Sequence, residues 1–137
     1  MSEQQARAKA EELIRSGKPF VMATVDENCQ PWMRWMGALA PDPEQPNAYY
    51  MVCGRHSRKM GQLTNNANTQ LMFSTDDFSC VVTLNGRSEI VDCSETKRRV
   101  WDMIPGASKY YESPESPDFG VIRFQAQCME VLCIQET

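Results

Sequence analysis

Tyr49 to Phe73, YYMVCGRHSRKMGQLTNNANTQLMF, changes its hydrophobic period twice within one short stretch. It opens as an apolar strand over Ala48 to Cys53 and turns through a basic segment. A short helix over Ser57 to Asn66 follows, with Met60 and Leu63 facing inward, and then another strand over Thr69 to Ser74. Ser57-Arg58-Lys59 stands at the N-terminus of the helix. Unpaired helix N–H groups, the positive end of the helix dipole, a hydroxyl and two cationic side chains converge there, a combination that suits a phosphate. Taken alone, the triplet also fits a solvated basic turn in which Ser57 merely caps the helix.

Upstream, Glu3 to Ser16 reads as a helix, with Ala6, Ala10, Leu13 and Ile14 on one face and Gly17 as its stop. Pro19 to Val25 is a nearly continuous apolar strand. A polar turn over Asp26 to Cys29 leads into a second strand over Gln30 to Leu39, and DPEQPN (Asp42 to Asn47) is a loop. Downstream, Phe78 to Leu84 and Arg87 to Asp92 flank Asn85-Gly86, a dipeptide that favours a type I′ hairpin turn. Ser94 is placed to cap a helix over Glu95 to Ile104, with Val100, Trp101 and Ile104 as its buried stripe and Pro105-Gly106 as its end. Phe119 to Phe124 and Met129 to Ile134 read as two closing strands. Roughly six to eight short strands joined by short turns predict an antiparallel sheet closed into a barrel, with helices at its edges.

A chain of 137 residues suits one domain, 1–137, with a core of its own. A net charge of −4 and the absence of a long basic run argue against a nucleic-acid partner. No apolar stretch reaches the roughly 20 residues that span a bilayer, and the polar N-terminus has no signal-peptide pattern, so a cytoplasmic protein without a membrane partner is expected. The six cysteines include no CxxC pair, and His56 is the only histidine, which leaves a zinc site little to draw on. Reduced thiols are expected, mostly packed as small hydrophobes, with Cys29 in its turn the most exposed. There is no GxGxxG, no P-loop and no nucleophile elbow.

Arg34 interrupts an aromatic and sulfur-rich strand, QPWMRWMGALA. A half-buried arginine needs an anionic partner, whereas one on the wet face of an antiparallel strand needs none. Alternation puts Trp32 and Met36 on the Arg34 face and Met33 and Trp35 on the other.

In their order these pieces resemble the FMN-binding split barrels of the pyridoxamine 5′-phosphate oxidase-like family, in particular its small general-stress-protein branch. The resemblance rests on P-x-x-R at Pro31 to Arg34, the strand Tyr49 to Cys53, Ser57-Arg58-Lys59, Gln62-Leu63-Thr64-Asn65-Asn66, and Gly86-Arg87-Ser88-Glu89-Ile90-Val91. It implies FMN as cofactor, with Arg34, Ser57, Arg58 and Lys59 on the phosphate. Trp35 and Met36 would pass beside the ring, and Tyr50 and Met51 would line the site. It implies a homodimer with flavin sites at the interface, acting as an oxidoreductase on a small redox substrate that the residues do not name. No catalytic side chain is singled out.

Departures narrow the expectation. Leu39 stands where the vitamin-converting oxidases carry a lysine, and no counterpart of their substrate-binding extension appears before Thr137, so oxidation of pyridoxamine phosphate is not expected. Cys29 replaces the glycine usual in the first hairpin turn, and the basic turn is longer than in those enzymes. Two rival readings keep the fold: a non-catalytic module that holds flavin, a deazaflavin or haem, and an empty barrel used for protein contacts.

Overall fold

The computed structural model describes residues 1–134. Its elements in chain order are α1 (Glu3–Ile14), β1 (Phe20–Val25), β2 (Pro31–Met36), β3 (Leu39–Pro41), β4 (Ala48–Gly54), α2 (Arg58–Asn65), β5 (Asn68–Ser74), β6 (Cys80–Val91), α3 (Ser94–Met103) and β7 (Phe119–Cys133), with a 3₁₀ turn at Ala107–Lys109. The strands form one antiparallel sheet in the order β2-β1-β5-β6-β7-β4-β3. The fold is mainly β, a curled split barrel with peripheral helices, as the turn-rich strand pattern predicts.

Closure follows from one connection. The expected strand Gln30 to Leu39 is in fact two strands, β2 and β3, which lie at opposite edges of the sheet. Only Gly37 and Ala38 separate them, and three Cα steps reach on the order of 11 Å. A sheet whose two edges are tied that closely must curl onto itself, which also shields the edge strands.

Two further expectations are corrected. Asn85-Gly86 makes no hairpin turn but lies inside the continuous strand β6, and the two closing strands are the single strand β7. A dipeptide that turns a free hairpin is here held extended from both sides. Asn85 sits between Gln70 of β5 and Cys128 of β7, and Gly86 between Thr69 and Ala126. The register slips by one residue between them, a β-bulge. The glycine serves close approach, because a Cβ at Gly86 would lie 2.1 Å from the carbonyl oxygen of Gln125.

The interior of the barrel is filled from every strand face that points inward. Phe20 and Met22 of β1, Met51 of β4, Leu71 of β5, Leu84 of β6 and Phe124 of β7 are nearly or fully inaccessible. Each such side chain contributes about 1.5–3 kcal/mol of burial. Helix α1 seats Ala10, Leu13 and Ile14 on this core, and α2 adds Met60 and Leu63. Helix α3 covers a second cluster on the other side of β4 and β7, where Val100 and Ile104 meet Tyr50, Phe119 and Val121. Trp101 packs edge-on against Phe119, with ring centroids 5.3 Å apart.

The cysteines depart from the expected picture. Cys80 and Cys133 are joined in a disulfide, and Cys29, Cys93 and Cys128 are exposed, which leaves Cys53 as the only buried free thiol among the described residues. Apolar neighbours in sequence do not decide which face of a strand a thiol occupies. Cys80 and Cys133 are directly opposite each other in the β6–β7 register, and that pairing depends on long-range topology. Cys93, not Ser94, takes the N-cap position of α3.

Candidate functional site

The strands β1 and β2 pair so that Thr24 lies opposite Trp32 and Met22 opposite Arg34. Alternation then turns Thr24, Met22, Arg34 and Met36 toward the barrel, while Met33 and Trp35 point out, 75% and 72% exposed. Helix α2 comes down over this strand pair immediately after the basic turn.

Arg34 is half-buried, and its partners are all neutral. One guanidinium nitrogen donates to the Thr24 hydroxyl at 2.7 Å and to the Met22 carbonyl at 3.3 Å; the other donates to the Gln62 side-chain carbonyl at 3.4 Å. The Thr24 hydroxyl in turn donates to the same Gln62 oxygen. No carboxylate among the described residues pairs with Arg34 within 4 Å. Burial, and then the charge of Arg58, holds the Arg34 guanidinium below its ordinary value. It remains a cation that would gain from an anion.

The basic turn divides its charges. Arg55 is engaged by Asp92, with nitrogen–oxygen distances of 3.0 and 3.1 Å, and this salt bridge lifts it above its ordinary value. Arg58 pairs with no carboxylate among the described residues and lies with its guanidinium 4.6 Å from the centre of the Trp32 ring. Among the described residues Lys59 donates only to the Ser57 hydroxyl, at 3.3 Å. Ser57 occupies the N-cap position of α2, yet its hydroxyl donates to the Gly54 carbonyl and accepts no helix N–H. The cap-only reading of Ser57 is therefore not what the geometry shows.

Beneath this group lies the Cys53 thiol. Burial raises it above its ordinary value against the opposing pull of Lys59, Ser57, Arg34 and Arg55. It stays a protonated packing group and not a nucleophile. Arg34 and Lys59 both bear on this one thiol, and Arg58 in turn bears on Arg34.

The structure thus brings Arg34, Ser57, Arg58 and Lys59 together. It does not bring all the expected ring-lining residues to an open surface. Met36 is 6% exposed, Tyr50 4% and Met51 0%; Met51 lies in the barrel core and Tyr50 beneath α3. Trp35 is exposed, but on the outer face of the sheet. Sequence reasoning passed over Thr24 and the role of Gln62. Their signals were the β1 alternation and the i, i+4 spacing of Arg58 and Gln62 on α2.

Comparison with known proteins identifies the family and the fold. The pyridoxamine 5′-phosphate oxidase family matches residues 6–133. The chain belongs to that family. No curated protein sequence matches it. Among solved structures, a Clostridium acetobutylicum protein related to general stress protein 26, of the pyridoxine phosphate oxidase family, is 24% identical with a TM-score of 0.82, over 97% of this chain and 91% of that one. A general stress family protein from Xanthomonas campestris is 12% identical with a TM-score of 0.79, over 100% and 92%. HutZ, the haem storage protein of Vibrio cholerae, is 14% identical with a TM-score of 0.70, over 93% and 94%. These likenesses establish the shared fold. One of these neighbours, HutZ, is named for haem storage.

Proposed function

We propose that this family member binds FMN and acts as a flavin-dependent oxidoreductase, with Arg34, Ser57, Arg58 and Lys59 on the phosphate. One observation carries the reading: Arg34, Arg58 and Lys59 share a neighbourhood and none is neutralised by a carboxylate among the described residues. A phosphate dianion fits such a set, since charge-assisted hydrogen bonds to phosphate are the strong ones. Bound flavin would supply the redox chemistry, while the protein binds and orients it. A haem reading has weaker support here. His56, the one histidine, is exposed on the turn and stands beside cations that suit phosphate.

The flavin ring needs walls that one chain leaves incomplete, because Met36, Tyr50 and Met51 are buried and Trp35 lies on the outer face of the sheet. A second copy would complete the site. The outer face of β2, β1, β5 and β6 exposes Trp35 and Met72 beside Phe78, around a groove of about 660 Å³, and Met33 is exposed on the same face of β2. Large apolar side chains gathered in this way mark an interaction face. Homodimerisation through it would put flavin sites at the boundary between subunits. Among the described residues no helix is long and apolar enough to cross a membrane.

The test is a visible absorption spectrum of the purified protein and an FMN titration followed by flavin fluorescence. Bound or stoichiometrically quenched flavin is expected. The double variant Arg58→Ala/Lys59→Ala should weaken retention by about a hundredfold or more, from loss of two charge-assisted contacts at about 1.5–3 kcal/mol each. Unchanged affinity would remove these residues from the site. Turnover with a reduced nicotinamide donor separates an enzyme from a module that only stores flavin.

A further inference from the structure

Helix α2 and strand β2 are matched in spacing. Arg58 and Gln62, four residues apart on the helix, are separated along its axis by about 6 Å. Trp32 and Arg34, two apart on the strand, are separated by about 6.6 Å. The two elements therefore meet rung against rung. Arg58 lies over the Trp32 ring at 4.6 Å, and the Gln62 carbonyl oxygen accepts from Arg34 at 3.4 Å. Both holders are themselves held. The Trp32 indole N–H donates to Asp26 at 3.0 Å, and among the described residues that carboxylate otherwise accepts only from the backbone N–H groups of Asn28 and Gln30. Gln62 is 9% exposed and also accepts from the fully buried Thr24 hydroxyl.

We propose that Trp32 and Gln62 are positioning residues of the phosphate site: they fix Arg58 and Arg34 in place without neutralising either. The inference rests on the phosphate reading above. A carboxylate would hold an arginine more firmly, as Asp92 holds Arg55, but it would also consume the charge that an incoming phosphate needs. A π-face and a neutral amide oxygen orient a guanidinium and leave its charge available. Pre-set cations lose less freedom on binding, so the device raises affinity for the phosphate group specifically.

The discriminating quantity is the preference for FMN over riboflavin, the ratio of their dissociation constants, measured by calorimetric titration. Inorganic phosphate serves as a third probe, followed through Trp32-dependent fluorescence. Gln62→Glu keeps the side-chain shape but offers Arg34 a carboxylate. It should lower the preference by about tenfold or more while the protein melts no earlier than wild type. Trp32→Ala should lower the preference similarly, and Trp32→Phe, which keeps a π-face, should restore it to within about threefold. Trp32→Leu replaces the alanine variant if that one does not fold. A merely structural role predicts something else: FMN and riboflavin weakening in the same proportion, or a phenylalanine variant no better than alanine. Either result overturns the inference and leaves the phosphate site standing. Wild-type protein that binds FMN no better than riboflavin, and does not respond to phosphate, overturns the site itself and this inference with it.

Discussion

At the scale of single residues, the charges that matter differ from their neighbours in what they lack. Arg55, Arg58 and Lys59 are near-equivalent in sequence, yet Asp92 engages only Arg55. Arg34 was legible as a residue needing an explanation, because a guanidinium inside an apolar strand is costly unless it is partnered. That its partners are neutral could not be read, since Thr24 and Gln62 come from other elements. Cys29 shows the same limit from the other side. Its place in the first hairpin turn was expected, and it adopts the left-handed region, φ 64°, that favours glycine. Cys29→Gly should therefore raise stability, by about 0.5–1 kcal/mol after the greater freedom of glycine in the unfolded chain is subtracted. Denaturant melts at equal slope check this, and a destabilised variant would show that the cysteine side chain contributes more than its backbone costs.

At the scale of elements, strong local signals succeeded wherever no second partner competed. Helices α1 and α2 follow their apolar periodicity, and Gly17 takes a positive φ of 77° just after α1, as a helix stop should. Asn85-Gly86 failed because β5 and β7 hold it from both sides, and ladder pairing on two edges overrides a local turn preference. The chain turns instead at Thr75 to Cys80. There the Asp77 carboxylate accepts from the Ser79 backbone and from the Thr75 hydroxyl. Contacts with Ser79, side chain and backbone, and then with Thr75 lower its pKa to about 2. A depressed carboxylate contributes stability that is present above its unfolded value of about 3.9 and lost as pH falls through the folded one. Asp77→Asn should accordingly flatten the loss of stability between pH about 4 and about 2, read from thermal melts across that range. An unchanged acid profile would place the dependence on other carboxylates.

At the scale of the whole molecule, the sheet uses its two faces differently. The inner face and the α3 side are packed, while the outer face of β1, β2 and β5 leaves Trp35 and Met72 to solvent. If this face joins two copies, Trp35→Asp with Met72→Glu should give a monomer by sedimentation, with the core melt intact and FMN retention weakened. A double variant that stays dimeric moves the interface elsewhere. The mainly β class, the helices α1 and α2, the turn that precedes α2, the helix stop and the identity of the unusual cations were legible in the sequence, because these depend on periodicity and local backbone preference. The sequence also carried the ordered motifs by which the family resemblance was legible. Long-range pairing was needed to show that one expected strand is two, placed at opposite edges to close the barrel, and that Cys80 meets Cys133. It alone decided that Arg34 and Arg58 are held by an amide oxygen and an indole face. Those outcomes depend on which distant strands pair, and in what register. A side-chain period of two allows many such pairings, and only burial of the whole core selects among them.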